Sequence, residues 1–198
     1  MKLTDQQKFF HAVGNNSVET VKNMILHGLD IETRDDRGRT ALLLATQIDV
    51  AEVARVLMEA GADVNAKDNI DDSPFLYAGA EGRLEILQMM LKHGADLASV
   101  NRYGGTALIP AAHHGHIETV RELLKTGIDI DHINFLGWTA LLETVILGDG
   151  GPTYIEITRL LVKAGADVNI TDNENVSPLE HAQSRGFDEI AALIRAAK

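Results

Sequence analysis

Cysteine is absent from this 198-residue chain, and aromatic side chains make up only 5% of it. Without cysteine the chain cannot form a disulfide framework, a thiolate metal site or a cysteine nucleophile. Leu, Ala, Ile and Val supply most of the 45% hydrophobic content. Such small and aliphatic side chains favour an all-α fold in which helices stack closely.

A basic excess is also missing, since the formal net charge is -11 and acidic residues occur along the whole chain. Nucleic-acid binding needs clustered Lys and Arg to displace counterions, so we expect no direct contact with DNA or RNA. No apolar run is long enough to span a membrane, and residues 1–17 lack the apolar stretch of a signal peptide. We therefore expect a cytoplasmic protein that does not bind membranes.

Internal repetition organises the sequence. The segment Gly61–Asn65 reads Gly-Ala-Asp-Val-Asn and returns unchanged as Gly165–Asn169. The glycines that open this segment and its diluted copies are separated by 33, 33, 33 and 38 residues, and they are Gly28, Gly61, Gly94, Gly127 and Gly165. One repeat therefore carries a five-residue insertion.

Two further series share this period. A hydroxyl residue is expected to cap the first helix of each repeat, at Thr40, Ser73, Thr106, Thr139 and Ser177. A residue that tolerates left-handed geometry is expected at the turn between two helices, at Asn16, Asp49, Gly82, Gly115, Gly148 and Gly186. Each repeat is thus predicted as a loop, a short helix such as 40–48, a turn and a longer helix such as 50–60. Pro110 is expected to distort the first helix of the fourth repeat.

The segments Gly104–Leu108 and Gly115–Ile117, together with the Gly-Ala-Asp-Val-Asn copies, resemble the ankyrin repeat. The resemblance covers roughly residues 4–197, and the extended fifth repeat is similar to small free-standing bacterial ankyrin proteins. It implies an all-α solenoid of about six stacked helix-turn-helix repeats with short hairpin-like loops. We expect a single domain with repeats at 4–35, 36–68, 69–101, 102–134 and 135–172, followed by a C-terminal cap at 173–198. Polar terminal repeats favour a monomer.

The sequence offers little for catalysis. None of the five serines lies in a Gly-x-Ser-x-Gly context, and the glycine-rich segment Gly148–Gly151 lacks the Lys and Thr of a phosphate-binding loop. Acidic stretches such as Asp68, Asp71 and Asp72 fail the calcium-loop pattern and are interpreted as solvated charges. We predict no catalytic residue and no cofactor.

A dense histidine cluster occurs at His113, His114 and His116. His116 occupies the Gly-His position that the ankyrin family uses structurally. His113 and His114 are expected to point to different sides of a helix end, with no carboxylate spaced to complete a site. We therefore predict no metal site.

The resemblance implies that the loop tips and the exposed positions of each first helix form a concave surface that contacts partner proteins. In the fourth and fifth repeats these positions become aromatic and apolar, which is typical of binding hot spots. The predicted partner-binding residues are Arg102, Tyr103, His113, His114, Phe135, Leu136, Trp138, Ile146, Leu147 and Tyr154. An alternative stays open, namely that Trp138 and Phe135 only cover the neighbouring loop.

We predict a non-enzymatic module that binds a partner protein through repeats four and five, with its acidity favouring basic surfaces. The five-residue insertion, between Gly148 and Ile155, adds Tyr154 to the same region, and insertions in strict repeats often carry function. A second hypothesis is a small-molecule or metal site around His113, His114 and the 148–154 loop.

Overall fold

A computed structural model of the protein describes residues 3–197. This range forms six successive helix pairs. The pairs are α1 (Asp5–Gly14) and α2 (Val18–Leu26), α3 (Ala41–Gln47) and α4 (Ala51–Glu59), α5 (Pro74–Ala80) and α6 (Leu84–Lys92), α7 (Leu108–His113) and α8 (Ile117–Leu123), α9 (Ala140–Leu147) and α10 (Pro152–Lys163), and α11 (Pro178–Ser184) and α12 (Asp188–Ala196). Between residues 3 and 197 the β-structure is limited to an isolated bridge joining Arg34 and Thr40. The prediction of an all-α fold is confirmed.

Hydroxyl side chains begin most of the first helices, as the sequence predicts. The side chains of Thr40 and Thr139 each accept a hydrogen bond from the backbone N–H three residues later, at 3.2 Å. Ser73 and Ser177 do the same at the starts of α5 and α11. These caps satisfy N–H groups that have no partner within the helix, so each capped helix has a fixed starting point.

The fourth repeat is different, and the prediction that Thr106 caps its first helix is wrong. Helix α7 begins two residues later, at Leu108, and Thr106 Oγ1 is buried without a hydrogen-bond partner. Pro110 explains the difference because it has no N–H to give to the carbonyl oxygen of Thr106. That oxygen instead accepts from Ile109 N at 3.2 Å. The expected local distortion at Pro110 is confirmed.

The turns between paired helices use left-handed residues, with one correction. Asn16 and Asp49 have φ values of 52° and 60°, and Gly82, Gly115 and Gly186 also have positive φ. Gly148 does not, because its φ is -68°. In the fifth repeat the left-handed residue is Gly150, with φ 74°. The insertion moves the reversal two residues along the chain.

Each hairpin loop is closed by the side chain of one Asp or Asn. In the loop before α9, Asn134 Oδ1 accepts hydrogen bonds from Leu136 N at 2.9 Å and Trp138 N at 3.1 Å. The same pair of bonds recurs at Asp35, Asp68, Asn101 and Asp172. The interpretation of Asp68 as a solvated charge is therefore wrong, since its carboxylate closes a loop.

The described residues group into two compact units. The first contains residues up to 78 and residues 83–96. In it α1 packs on α2 and α3, and α4 packs on α2, α3 and α6. Its largest fully buried side chains include Phe9, Leu42, Leu57, Phe75 and Met90.

The second unit contains residues 79–82 and those from 97 onward. First helices α7, α9 and α11 pack in series, as do second helices α8, α10 and α12, and each pair packs internally. Leu108, Leu123, Leu141, Leu142 and Ile157 are fully buried. Each helix thus buries its apolar side against the next repeat, as stacked repeats require. The single-domain organisation with its six repeat boundaries stays a prediction.

In the described range there is no helix both long enough and apolar enough to cross a membrane.

Candidate functional site

Large apolar side chains are exposed in two neighbouring hairpin loops of the second unit. Tyr103 lies in the loop before α7, and Ile133, Phe135 and Leu136 lie in the loop before α9. Their exposed fractions run from 49% for Leu136 to 75% for Phe135. We call these four residues the apolar loop patch. If another molecule covered these side chains, a substantial apolar area would be removed from water, which favours binding.

The two loops are joined directly. Phe135 N donates a hydrogen bond to the carbonyl oxygen of Tyr103 at 2.9 Å. The Phe135 ring lies against Gly104, where an added methyl group would come within 2.5 Å of Cδ1. Gly104 also has a φ of 75°, so both its backbone conformation and its missing side chain are needed here. The patch is therefore held by the backbones of both loops.

Tyr103 and Trp138 have different environments. The Arg102 guanidinium lies over the Tyr103 ring, 4.9 Å from its centroid, and both residues are exposed. Trp138 is half-buried, with its backbone N–H bound to Asn134. Trp138 is thus less exposed than Tyr103, whereas Phe135 both contacts Gly104 and stays exposed.

The end of α9 also exposes apolar surface. Leu147 is exposed and Ile146 is half-buried at the end of α9. The Arg185 guanidinium donates to the carbonyl oxygens of Ile146 and Gly148, the latter at 2.9 Å. Arg185 also stacks on Phe187, 4.7 Å from the ring centroid. The hydrogen bonds of Arg185 therefore stabilise the end of α9.

His113 and His114 do not point to different sides, so that expectation is wrong. Their ring centroids are 4.7 Å apart. His114 ends helix α7 and donates a hydrogen bond from Nδ1 to the carbonyl oxygen of Ala80 at 2.6 Å, which holds its ring in place. Burial and then the neighbouring His114 lower the pKa of His113. His113 is therefore neutral near pH 7.

A carboxylate lies near these histidines, and their spacing in the sequence does not reveal it. Glu143 Oε2, on α9, lies 3.7 Å from His113 Nδ1, a separation too long for a hydrogen bond. Glu143 is only 7% exposed, and its Oε1 accepts from Asn134 Nδ2 at 2.8 Å. Burial raises the pKa of Glu143, while the Asn134 hydrogen bond and the charge of His114 act in the opposite direction. A buried carboxyl thus lies directly behind the fifth loop.

The inserted segment packs back onto the fourth repeat. Tyr154 is half-buried, and its hydroxyl donates a hydrogen bond to the carbonyl oxygen of His113 at 2.9 Å. A shallow cleft of about 310 Å³ opens beside it, lined by His114, Gly115, Asp149, Gly151, Pro152, Thr153 and Tyr154. The structure therefore brings His114 together with the 148–154 loop.

Metal ligands do not converge here. In the part of the chain that the structure describes, no three His, Cys, Asp or Glu side chains are arranged to hold a metal ion. The chemistry available at this surface includes apolar contact, aromatic stacking, the polar groups of Arg102 and the two histidines, and the carboxyl of Glu143.

Comparisons with known proteins agree with this architecture. A family model described as ankyrin repeats (3 copies) matches residues 9–101 and 75–172. The chain belongs to the ankyrin-repeat family. An ankyrin repeat domain from Acinetobacter baumannii AYE is 53% identical over 96% of this chain and 97% of that one, with a TM-score of 0.94. The ankyrin repeat protein EF0377 is 42% identical over 94% of this chain and 96% of its own, with a TM-score of 0.91.

A curated relative gives a shorter match. YahD of Escherichia coli (strain K12), named as an ankyrin repeat protein, is 46% identical over 56 residues, which is 28% of each chain. The matched segment thus spans little more than a quarter of that relative. Ankyrin repeats generally act as protein-protein interaction modules and generally lack enzymatic activity. The prediction of an ankyrin solenoid is confirmed.

Sequence reasoning missed three residues of this surface. Ile133 is exposed beside the loop, and Asn134 and Glu143 form the buried pair behind it. The repeat pattern could have identified Asn134, because Asp or Asn recurs at the equivalent positions 35, 68, 101, 134 and 172. The sequence indicates Glu143 more weakly, as an acidic residue within the otherwise apolar helix segment Ala140–Leu147.

Proposed function

We propose that this chain binds a partner protein through the apolar loop patch and the ends of α7 and α9. The observation that carries the proposal is the exposure of four large apolar side chains in two directly joined loops. Exposed apolar side chains also occur in the first unit, but there they are dispersed, at Leu3, Leu26, Ile48 and Ile70. Contiguity distinguishes a contact surface from isolated exposed residues.

The predicted residues would have different roles. Tyr103 and Phe135 supply aromatic anchors, and Leu136 and Leu147 add aliphatic contact. Arg102 and the two histidines offer polar contacts at the border of the patch. The half-buried residues Trp138, Ile146 and Tyr154 would act mainly by holding the loop and the helix end in position.

The proposal excludes catalysis as the primary function. Its support is the character of the exposed groups, which are apolar side chains with no nucleophile and base set against each other. The cytoplasmic location and the monomeric state stay predictions of the sequence.

The test compares two double variants of the full chain as bait in lysate of the source organism, with captured proteins identified by mass spectrometry. Tyr103→Ser with Phe135→Ser removes the aromatic anchors, and Leu26→Ser with Ile70→Ser removes exposed apolar side chains elsewhere. We expect a specific protein that is captured by the wild type and by the second variant but lost with the first. Equal capture by both variants would refute the patch as the site. Circular dichroism of each bait checks that folding is unchanged.

A second candidate is a small polar ligand in the cleft between His114 and Tyr154. Its support is the cleft itself, whose volume is at the lower end of the range for ligand sites. The test is a metabolite-library screen by ligand-observed NMR, repeated with His114→Ala. Hits that bind the wild type and not the variant would support this function, and an absence of hits would refute it.

A further inference from the structure

Glu143 is a buried carboxyl whose pKa burial raises, and the charge of His114 opposes this effect only in part. Its carboxyl is 7% exposed, and the neighbouring hydrogen-bond donor is the neutral amide of Asn134. His113 lies 3.7 Å away, and its lowered pKa keeps it uncharged at neutral pH. Neither Lys nor Arg forms an ion pair with Glu143 anywhere in residues 3–197. Burying a carboxylate without a Lys or Arg partner has an unfavourable desolvation free energy. A cation supplied by another molecule would offset that free energy.

Exposed carboxylates occur just after α9 and in the hairpin loop before α11, while an exposed cation, Arg102, lies beside Tyr103. Asp149 and Glu174 are both exposed, and among the described side chains neither has an ion-pair partner. Glu174 adjoins Asn173, whose amide donates to the carbonyl oxygen of Leu136 at 3.1 Å. Arg102 lies over the Tyr103 ring, and Arg185 donates hydrogen bonds to two carbonyl oxygens at the end of α9.

We propose that the partner is a protein segment that presents a lysine or arginine next to apolar side chains, and that Glu143 receives this cation while the patch receives the apolar side chains. The inference rests on the function proposed above and specifies the chemistry of the partner. Apolar contact would supply most of the affinity, and the cation would supply specificity. A long, flexible Lys or Arg stem suits a carboxyl that lies behind the loop tip.

The test begins with a displayed library of random 16-residue peptides selected on the full-length protein. Binders are then screened for loss of binding to the Phe135→Ser, Leu136→Ser double variant, so that only patch-dependent peptides are kept. We expect these peptides to share a Lys or Arg beside aromatic or aliphatic residues.

A double-mutant cycle then tests the contact with Glu143. One arm is Glu143→Gln, which keeps an acceptor for Asn134, and the other replaces the peptide's cationic residue by norleucine. Each single change should weaken binding by about 30-fold or more, and the two together should weaken it little further. Glu174→Gln serves as the matched control, and its loss should be only a few-fold because that carboxylate is exposed.

The outcomes separate the two proposals. Patch-dependent peptides without a shared cation, or fully additive effects in the cycle, would overturn the role of Glu143 and leave the patch as the binding site. Failure to select any patch-dependent peptide would overturn both. Circular dichroism and urea unfolding of Glu143→Gln exclude misfolding as the cause of a lost affinity.

Discussion

At the residue scale, Glu143 links stability to pH. Because burial raises the pKa of this carboxyl, the folded protein holds its proton more tightly than the unfolded chain does. The stabilisation is complete below the unfolded pKa and is lost as pH rises through the folded pKa. Glu143→Gln should therefore increase the free energy of unfolding by about 1 kcal/mol at pH 7 and change it little near pH 4.

Urea unfolding at both pH values measures this effect. Glu174→Gln is the control, and because it removes an exposed acid its effect should stay within about 0.5 kcal/mol at either pH. A gain in stability that is equal at the two pH values would show that the charge of Glu143 is not the cause.

Gly150 provides a second residue-scale test, since it combines left-handed geometry with a close neighbour. Its φ is 74°, and an added methyl group would come within 2.3 Å of the Phe187 ring. Gly186 has a similar φ of 70° but open space around it. Gly186→Ala should lower the free energy of unfolding by about 1–2 kcal/mol through backbone strain alone. Gly150→Ala should lower it by about 1–3 kcal/mol more because the added methyl group also meets Phe187. Equal losses in urea unfolding would mean that the Phe187 contact is unimportant.

At the element scale, Pro110 shortens α7 to six residues and leaves Thr106 Oγ1 without a partner. Pro110→Ala restores the missing N–H, so the helix should begin at its expected place with Thr106 as its cap. We expect a gain of about 1 kcal/mol in urea unfolding, with a small rise in helicity by circular dichroism.

Pro152→Ala is the matched comparison. Pro152 stands at the first position of α10, where a proline costs no helical hydrogen bond. This variant should be neutral or slightly destabilised. If Pro110→Ala were destabilised to the same extent, the shortened helix would have another cause.

Helix boundaries could be predicted where the 33-residue period is intact and no proline interrupts the first helix. The expected segments 40–48 and 50–60 correspond to Ala41–Gln47 and Ala51–Glu59 with their flanking caps. The prediction failed at Gly148, because the insertion changes which glycine reverses the chain. It failed at Thr106 because the proline four residues later acts through a hydrogen bond that a periodic pattern does not reveal.

The candidate site was only partly predictable for a similar reason. Exposure of Tyr103, Phe135 and Leu136 follows from their place in the repeat. The approach of Glu143 to His113 joins residues 30 positions apart and depends on how α9 packs on α7. No local pattern encodes such a distance.

At the scale of the whole molecule, the net charge of -11 should steer cationic ligands toward the protein. The association rate constant of a selected Lys- or Arg-containing peptide should fall by about tenfold between low and physiological ionic strength. Stopped-flow fluorescence can follow binding, and the norleucine version of the same peptide should show a much weaker salt dependence. A rate constant that does not respond to salt would contradict a role for the overall charge.

The closure of the hairpins has a consequence for how this protein can change over time. One Asp or Asn side chain in each loop binds two backbone N–H groups, so the shape of the loop does not depend on the side chains at its tip. Phe135 and Leu136 could be exchanged for other residues while the helices keep their caps and their cores. New binding preferences can therefore arise by a few substitutions at the tips, one loop at a time, without a new fold having to evolve.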